Sequence, residues 1–147
     1  MQIELTPRSL IGLLCAFAGV KRLPVQGWAL EVGLDVLGRH ASADESAVGR
    51  ALSRWPRGAG GVVPRYLGLQ KLLQELVRSG HLQPEGRGWD AGYAPAEGWI
   101  AAHTGLVTAL SRTERGALTK AAQALNAALT TWSKNAVASE PVGVGTI

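Results

Sequence analysis

The segment from Tyr66 to Pro95 constrains this chain most. Leu69, Leu72, Leu73, Leu76 and Val77 recur at the three-and-four spacing of one helical face. Gln70, Lys71, Gln74, Glu75 and Arg78 fall on the opposite face, so Tyr66 to Ser79 reads as an amphipathic helix. Gly80 is placed to end it. His81-Leu82-Gln83 then reads as a short strand, and Pro84 to Gly92 as a loop carrying Gly86, Arg87, Gly88, Trp89 and Asp90. Tyr93-Ala94-Pro95 leads out of that loop into a helix from about Ala96 to Leu110. The inward side of this next helix is Trp99, Ile100, His103, Leu106, Val107 and Leu110.

Other elements flank this segment. Thr6 can cap a first helix whose opening residue, Pro7, loses nothing there. Leu10, Ile11, Leu13, Leu14, Phe17, Ala18 and Val20 leave it almost no polar side, which predicts burial. Leu23 to Gly27 reads as a loop. Trp28 to Leu37 fits both a strand, by alternation, and a helix, through Leu30, Leu34 and Leu37; its length and a stop at Gly38 favour the helix. Ser42-Ala43-Asp44-Glu45 has the form of a capping box for a helix with Ala47, Val48, Ala51, Leu52 and Trp55 on its apolar side, stopped by Pro56. Arg57 to Val63 is a glycine-rich loop. Ser111-Arg112-Thr113-Glu114 is a second capping box, starting a helix to about Lys134. Leu118, Ala122, Leu125, Leu129 and Trp132 form a heptad-like seam along it, and Ala136 to Ile147 reads as a frayed tail.

The pattern from Ser42 to Pro95, and in layout to Lys134, resembles the winged helix-turn-helix of bacterial regulators with a PadR-like or MarR-like arrangement. The carriers are Arg78-Ser79-Gly80-His81-Leu82 at the end of the second helix and the aromatic-x-Pro element Tyr93-Ala94-Pro95. The resemblance implies a mainly α fold with a small β-hairpin and additional C-terminal helices. It implies one winged-helix-like domain over residues 1–135. Within it, the helix-turn-helix spans about 42–80, the wing about 81–95 and the C-terminal helices about 96–134, with a flexible tail at 136–147. It further implies a cytoplasmic transcriptional regulator that binds double-stranded DNA as a homodimer. The Arg57–Val63 loop is longer than a tight helix-turn-helix turn, and the wing lacks the usual cluster of basic residues.

Charge points the same way. Between residues 50 and 78 lie Arg50, Arg54, Arg57, Arg65, Lys71 and Arg78 against the single acid Glu75, a net +5 where the whole chain carries +4. Phosphate contact requires such a concentration of cations. Arg54, Arg57 and Arg65 are therefore expected to hold the DNA backbone. Gln70, Lys71, Gln74 and Arg78 are expected to face base edges, and Arg87 and Trp89 to act at the wing tip. The bland counterpart is a solvated helix face of ordinary helix formers, with Trp89 folded back onto the core.

The 147 residues suffice for one self-supporting core, and 46% apolar composition argues against a disordered chain. A single cysteine, Cys15, excludes an internal disulfide and fits a reducing compartment. The longest apolar run, Leu10 to Val20, is far short of the roughly 20 residues of a membrane span. Glu4 in the would-be leader opposes a signal peptide. His40, His81 and His103 lack metal-ligand spacing, and no phosphate-loop or nucleophile pattern occurs, so neither an enzyme nor a cofactor is expected. Two other readings remain. One is a winged-helix-like antitoxin, adaptor or assembly subunit that binds protein instead of DNA. The other is an effector-gated regulator with a pocket lined by Trp28, Trp99 and Trp132.

Overall fold

The computed structural model describes residues 5–25, 27–41, 46–58, 65–86 and 91–139, with the backbone alone at Arg57, Arg65 and 134–139. Helix α1 (Pro7–Ala18) begins as the sequence predicts: Thr6 accepts a hydrogen bond from the Ser9 amide at 3.2 Å, and Pro7 opens the first turn. Leu10, Ile11, Leu13, Leu14 and Cys15 are all fully buried. From Leu10 to Ala18 the helix is apolar all round, and α3 (Ala47–Arg54), α5 (Glu97–Leu106) and α6 (Arg112–Ser139) all contact it. Each such leucine contributes about 1.5–3 kcal/mol of burial free energy. Where α5 crosses, there is no room for even a methyl group. A Cβ on Gly12 would lie 2.5 Å from the His103 ring.

Residues 28–40 resolve to helix α2 (Trp28–His40), with Leu30, Leu34 and Leu37 buried. Gly38 does not stop it. The last turn continues to His40, and Arg39 pairs with Asp35 four residues back at 2.6 Å. An exposed glycine in a last turn costs only about 1 kcal/mol, less than the packing of α2 on α6 supplies. The cap of α3 also differs from expectation. Ser46, not Ser42, accepts the Gly49 amide at 2.8 Å. Residues 42–45 lie outside the described residues.

The second capping box forms as predicted. The Ser111 amide donates to Glu114 Oε1 at 3.0 Å and the Glu114 amide to Ser111 Oγ at 3.1 Å. Helix α6 outlasts the expected boundary near Lys134 and runs to Ser139, so Ala136 is helical and not yet tail. Residues 140–147 lie outside the described residues. Its seam packs within the chain. Leu118 and Leu125 are fully buried and Ala122 nearly so, and α6 lies along α1 and α2. Leu129 and Trp132 are half-buried. Helix α5 is shorter than expected, giving way to a 3₁₀ turn at Val107–Ala109 before Leu110.

Two small antiparallel sheets complete the described residues. In the first, β1 (Leu23–Pro24), β5 (Gly92–Pro95) and β4 (Leu82–Glu85) lie in the order β1-β5-β4. Leu82 pairs with Pro95 and Glu85 with Gly92, while Leu23 pairs with Tyr93. Leu23–Pro24 thus belongs to a strand where the sequence suggested only a loop; as an edge strand it tolerates proline. Gly92 lets β1 come close, since a Cβ there would lie 2.5 Å from the Leu23 carbonyl oxygen. The Arg22 guanidinium lies 5.3 Å from the Trp132 ring centroid, tying α6 to the residue that leads into β1. The second sheet pairs β2 (Arg57–Gly58) with β3 (Arg65–Tyr66), and lies between α3 and α4 (Leu69–Arg78). The described residues are therefore mainly helical, six α-helices with a small three-stranded antiparallel sheet and a two-stranded ribbon.

Candidate nucleic-acid interface

Helix α4 divides as its sequence pattern predicts. Leu69, Leu73 and Leu76 are buried, while Gln70, Lys71, Gln74 and Arg78 are exposed. Gly80 ends it in a left-handed conformation (φ 81°), with the His81 amide returning to the Leu76 carbonyl at 2.9 Å. The hairpin β4–β5 starts two residues later. His81 holds this junction: its carbonyl accepts the Ala96 amide at 2.8 Å, and its ring stacks on Trp99 at 5.6 Å. Trp99 in turn meets His103 edge-on, and His103 Nδ1 lies 2.8 Å from the Trp99 carbonyl oxygen. The geometry fixes where the hairpin leaves the helix.

The exposed face is not uniform. The Gln70 side-chain amide donates to the Val25 carbonyl at 2.6 Å, so this residue braces α4 against the β1–α2 connection. That corrects its expected place among groups facing outward to base edges. Lys71, Gln74 and Arg78, at three- and four-residue intervals, form the remaining outward stripe. Glu75, the only acid of the basic segment, pairs with Arg8 of α1 at 3.1 Å. Arg54 stands exposed in the last turn of α3.

The connection between α3 and α4 departs most from a helix-turn-helix. Arg57 to Val63 is not simply a loop: its first residues form β2, and Arg57 pairs with Tyr66 and Gly58 with Arg65. The base of this ribbon is clamped. The Trp55 indole N–H donates to the Leu67 carbonyl at 2.8 Å, the Leu67 amide donates to the Pro56 carbonyl at 2.9 Å, and the Trp55 and Tyr66 rings meet edge-on at 5.2 Å. Arg57 and Arg65 are thus brought to adjacent rungs by backbone register. Arg87 and Trp89 lie outside the described residues.

A shallow cleft of about 400 Å³ adjoins this region, lined by Arg8, Trp55, Leu67, Lys71, Leu72 and Glu75 among others. The three tryptophans expected to share a pocket do not meet there. Trp99 lies between two histidines, Trp132 beside Arg22, and Trp28 is 36% exposed at the start of α2.

A contact invisible to motif reading links α3 to α6. Glu114 Oε2 accepts the Val48 amide at 3.1 Å, so one buried carboxylate serves the first turns of both helices. The capping box signalled one oxygen's role; nothing in sequence signals the other's partner, 66 residues away. Cys15 is fully buried, and desolvation pushes its thiol up to about 12, which removes it as a nucleophile. Among the described residues there is no cluster of three or more His, Cys, Asp or Glu side chains able to hold a metal, and no helix long and apolar enough to cross a membrane. Compared with protein-family models, with curated proteins and with solved structures, the chain matches none.

Proposed function

We propose that this chain is a winged-helix DNA-binding protein, a non-enzymatic transcriptional regulator in which α4 is the reading helix and β4–β5 the wing. The observation that carries the reading is the outward stripe Lys71, Gln74 and Arg78 on a helix that runs directly into an antiparallel hairpin. The strand order supports it too. A strand from before the helix pair, β1, flanks the far strand of the hairpin, which ties the wing to the body. In this reading Arg and Lys bond guanine edges, Gln74 bonds adenine, and Arg54 holds phosphate. A homodimer would present α4 twice, to half-sites about 34 Å apart. Leu118, Ala122 and Leu125 do not supply its interface, because they are buried within one chain.

The test is fluorescence anisotropy with a labelled random-sequence duplex, titrated at several salt concentrations. Micromolar or tighter binding that weakens steeply with salt is expected. The triple variant Lys71→Ala/Gln74→Ala/Arg78→Ala should bind about tenfold or more weakly while unfolding at nearly the same temperature. No binding by the unaltered chain at low salt would sink the reading. One observation favours a protein-binding module instead: Leu67, before α4, is 54% exposed, and Trp28 is exposed beside Gly27, whose backbone abuts Leu69. Absence of duplex binding would promote that alternative.

A further inference from the structure

We propose that Arg8 of α1 belongs to the DNA interface as a positioning residue: it neutralises Glu75, the one acid of the reading helix, and so leaves Lys71 and Arg78 to the polyanion. The inference rests on the DNA-binding reading above and adds to it a residue from the far end of the sequence. The first support is the place of the acid. Glu75 stands four residues after Lys71 and three before Arg78. At these spacings an acid and a cation on one helix pair with each other. Left alone, Glu75 would engage one of the two cations and repel a phosphate chain lying along α4. Instead its Oε2 accepts a hydrogen bond from the Arg8 guanidinium at 3.1 Å. Among the described residues neither Lys71 nor Arg78 takes part in an ion pair.

The second support is the place of Arg8. It follows Pro7 in the first turn of α1, a turn that holds no acid. That is the positive end of the helix dipole, where a cation is disfavoured. Local preference therefore opposes Arg8, as the charge of the surrounding segment opposes Glu75, and each misplacement answers the other. The two side chains are 48% and 36% exposed, so their pairing adds little to stability. What it changes is the field beside α4. The third support is proximity to the outward stripe. Arg8, Lys71 and Glu75 line the same shallow cleft, and they are its only ionisable groups. With Arg8 present this edge of α4 carries two cations against one acid; without it, the acid cancels Lys71.

The test is fluorescence anisotropy with a labelled random-sequence duplex at low and moderate salt. Arg8→Ala should bind about fivefold more weakly at low salt, the effect of one uncompensated unit charge at close range in water. Arg8→Gln, which keeps the length of the side chain, should show the same deficit, and Arg8→Lys should show none. The deficit should narrow as salt rises, because screening shortens the reach of Glu75. Unfolding temperatures should stay together throughout the series. The decisive variant is Arg8→Ala/Glu75→Gln, whose net charge equals that of the unaltered chain; its affinity should return to within about twofold of the original. Full affinity in Arg8→Ala and Arg8→Gln would overturn the proposal. So would a double variant as weak as Arg8→Ala, since Arg8 would then act on the DNA itself or through the fold. Both outcomes leave the role of Lys71, Gln74 and Arg78 standing. If the unaltered chain does not bind the duplex at all, the DNA reading fails, and the role of Arg8 with it.

Discussion

Cys15 shows how far a single side chain is defined by what surrounds it. It lies in the middle of an apolar helix, fully buried, and its thiol is pushed up from about 9 to about 12 by desolvation. The folded state therefore holds the thiol proton more tightly than the unfolded state does. The corresponding stability is fully present below about pH 9 and is lost as pH rises toward 12. The native protein should accordingly react with a disulfide reagent at pH 8 only as fast as α1 opens, and at once in denaturant. Cys15→Ala should remove part of the alkaline loss of stability. Rapid stoichiometric labelling of the native chain at pH 8 would refute this account.

Between elements, one carboxylate does what no apolar contact does. Glu114 accepts the Ser111 amide within α6 and the Val48 amide of α3, and its negative charge sits at the positive ends of both helices. Glu114→Gln keeps one acceptor but turns a donor toward the second amide, leaving a buried N–H unsatisfied. The expected cost is about 1–3 kcal/mol, read by urea unfolding. Amide exchange should speed at Val48, and the outward stripe of α4 should remain intact. A neutral outcome would mean that α3 is positioned by packing alone. At this scale the helices were legible where a cap and an apolar face agreed, as in α1, α4 and α6. They were less legible where a local signal stood alone. Ser42 looked like a cap but Ser46 fills that place, and Gly38 looked like a stop inside a helix that packing on α6 carries to His40.

For the molecule as a whole, the decisive contact is the layer of α1, α2 and α6, to which the Leu118–Trp132 seam contributes its buried half. Leu125→Ala should cost about 2–5 kcal/mol by opening a cavity. Because the residue packs within one chain, the loss should be the same at every protein concentration; a concentration-dependent loss would return the seam to a subunit interface. The sequence by itself determined which stretches have a buried face, where most helices begin, and where positive charge gathers, because those properties depend on neighbours a few residues apart. The tertiary structure alone decided the rest. It showed that a two-residue strand at Leu23 completes the sheet, that residues 57–58 pair with residues 65–66 in a ribbon with a clamped base, and that Gln70 turns back to Val25. It also showed that a heptad seam closes on its own chain. Each of these depends on a partner brought close only by folding. A face's periodicity says that it must be covered, and the fold says by what.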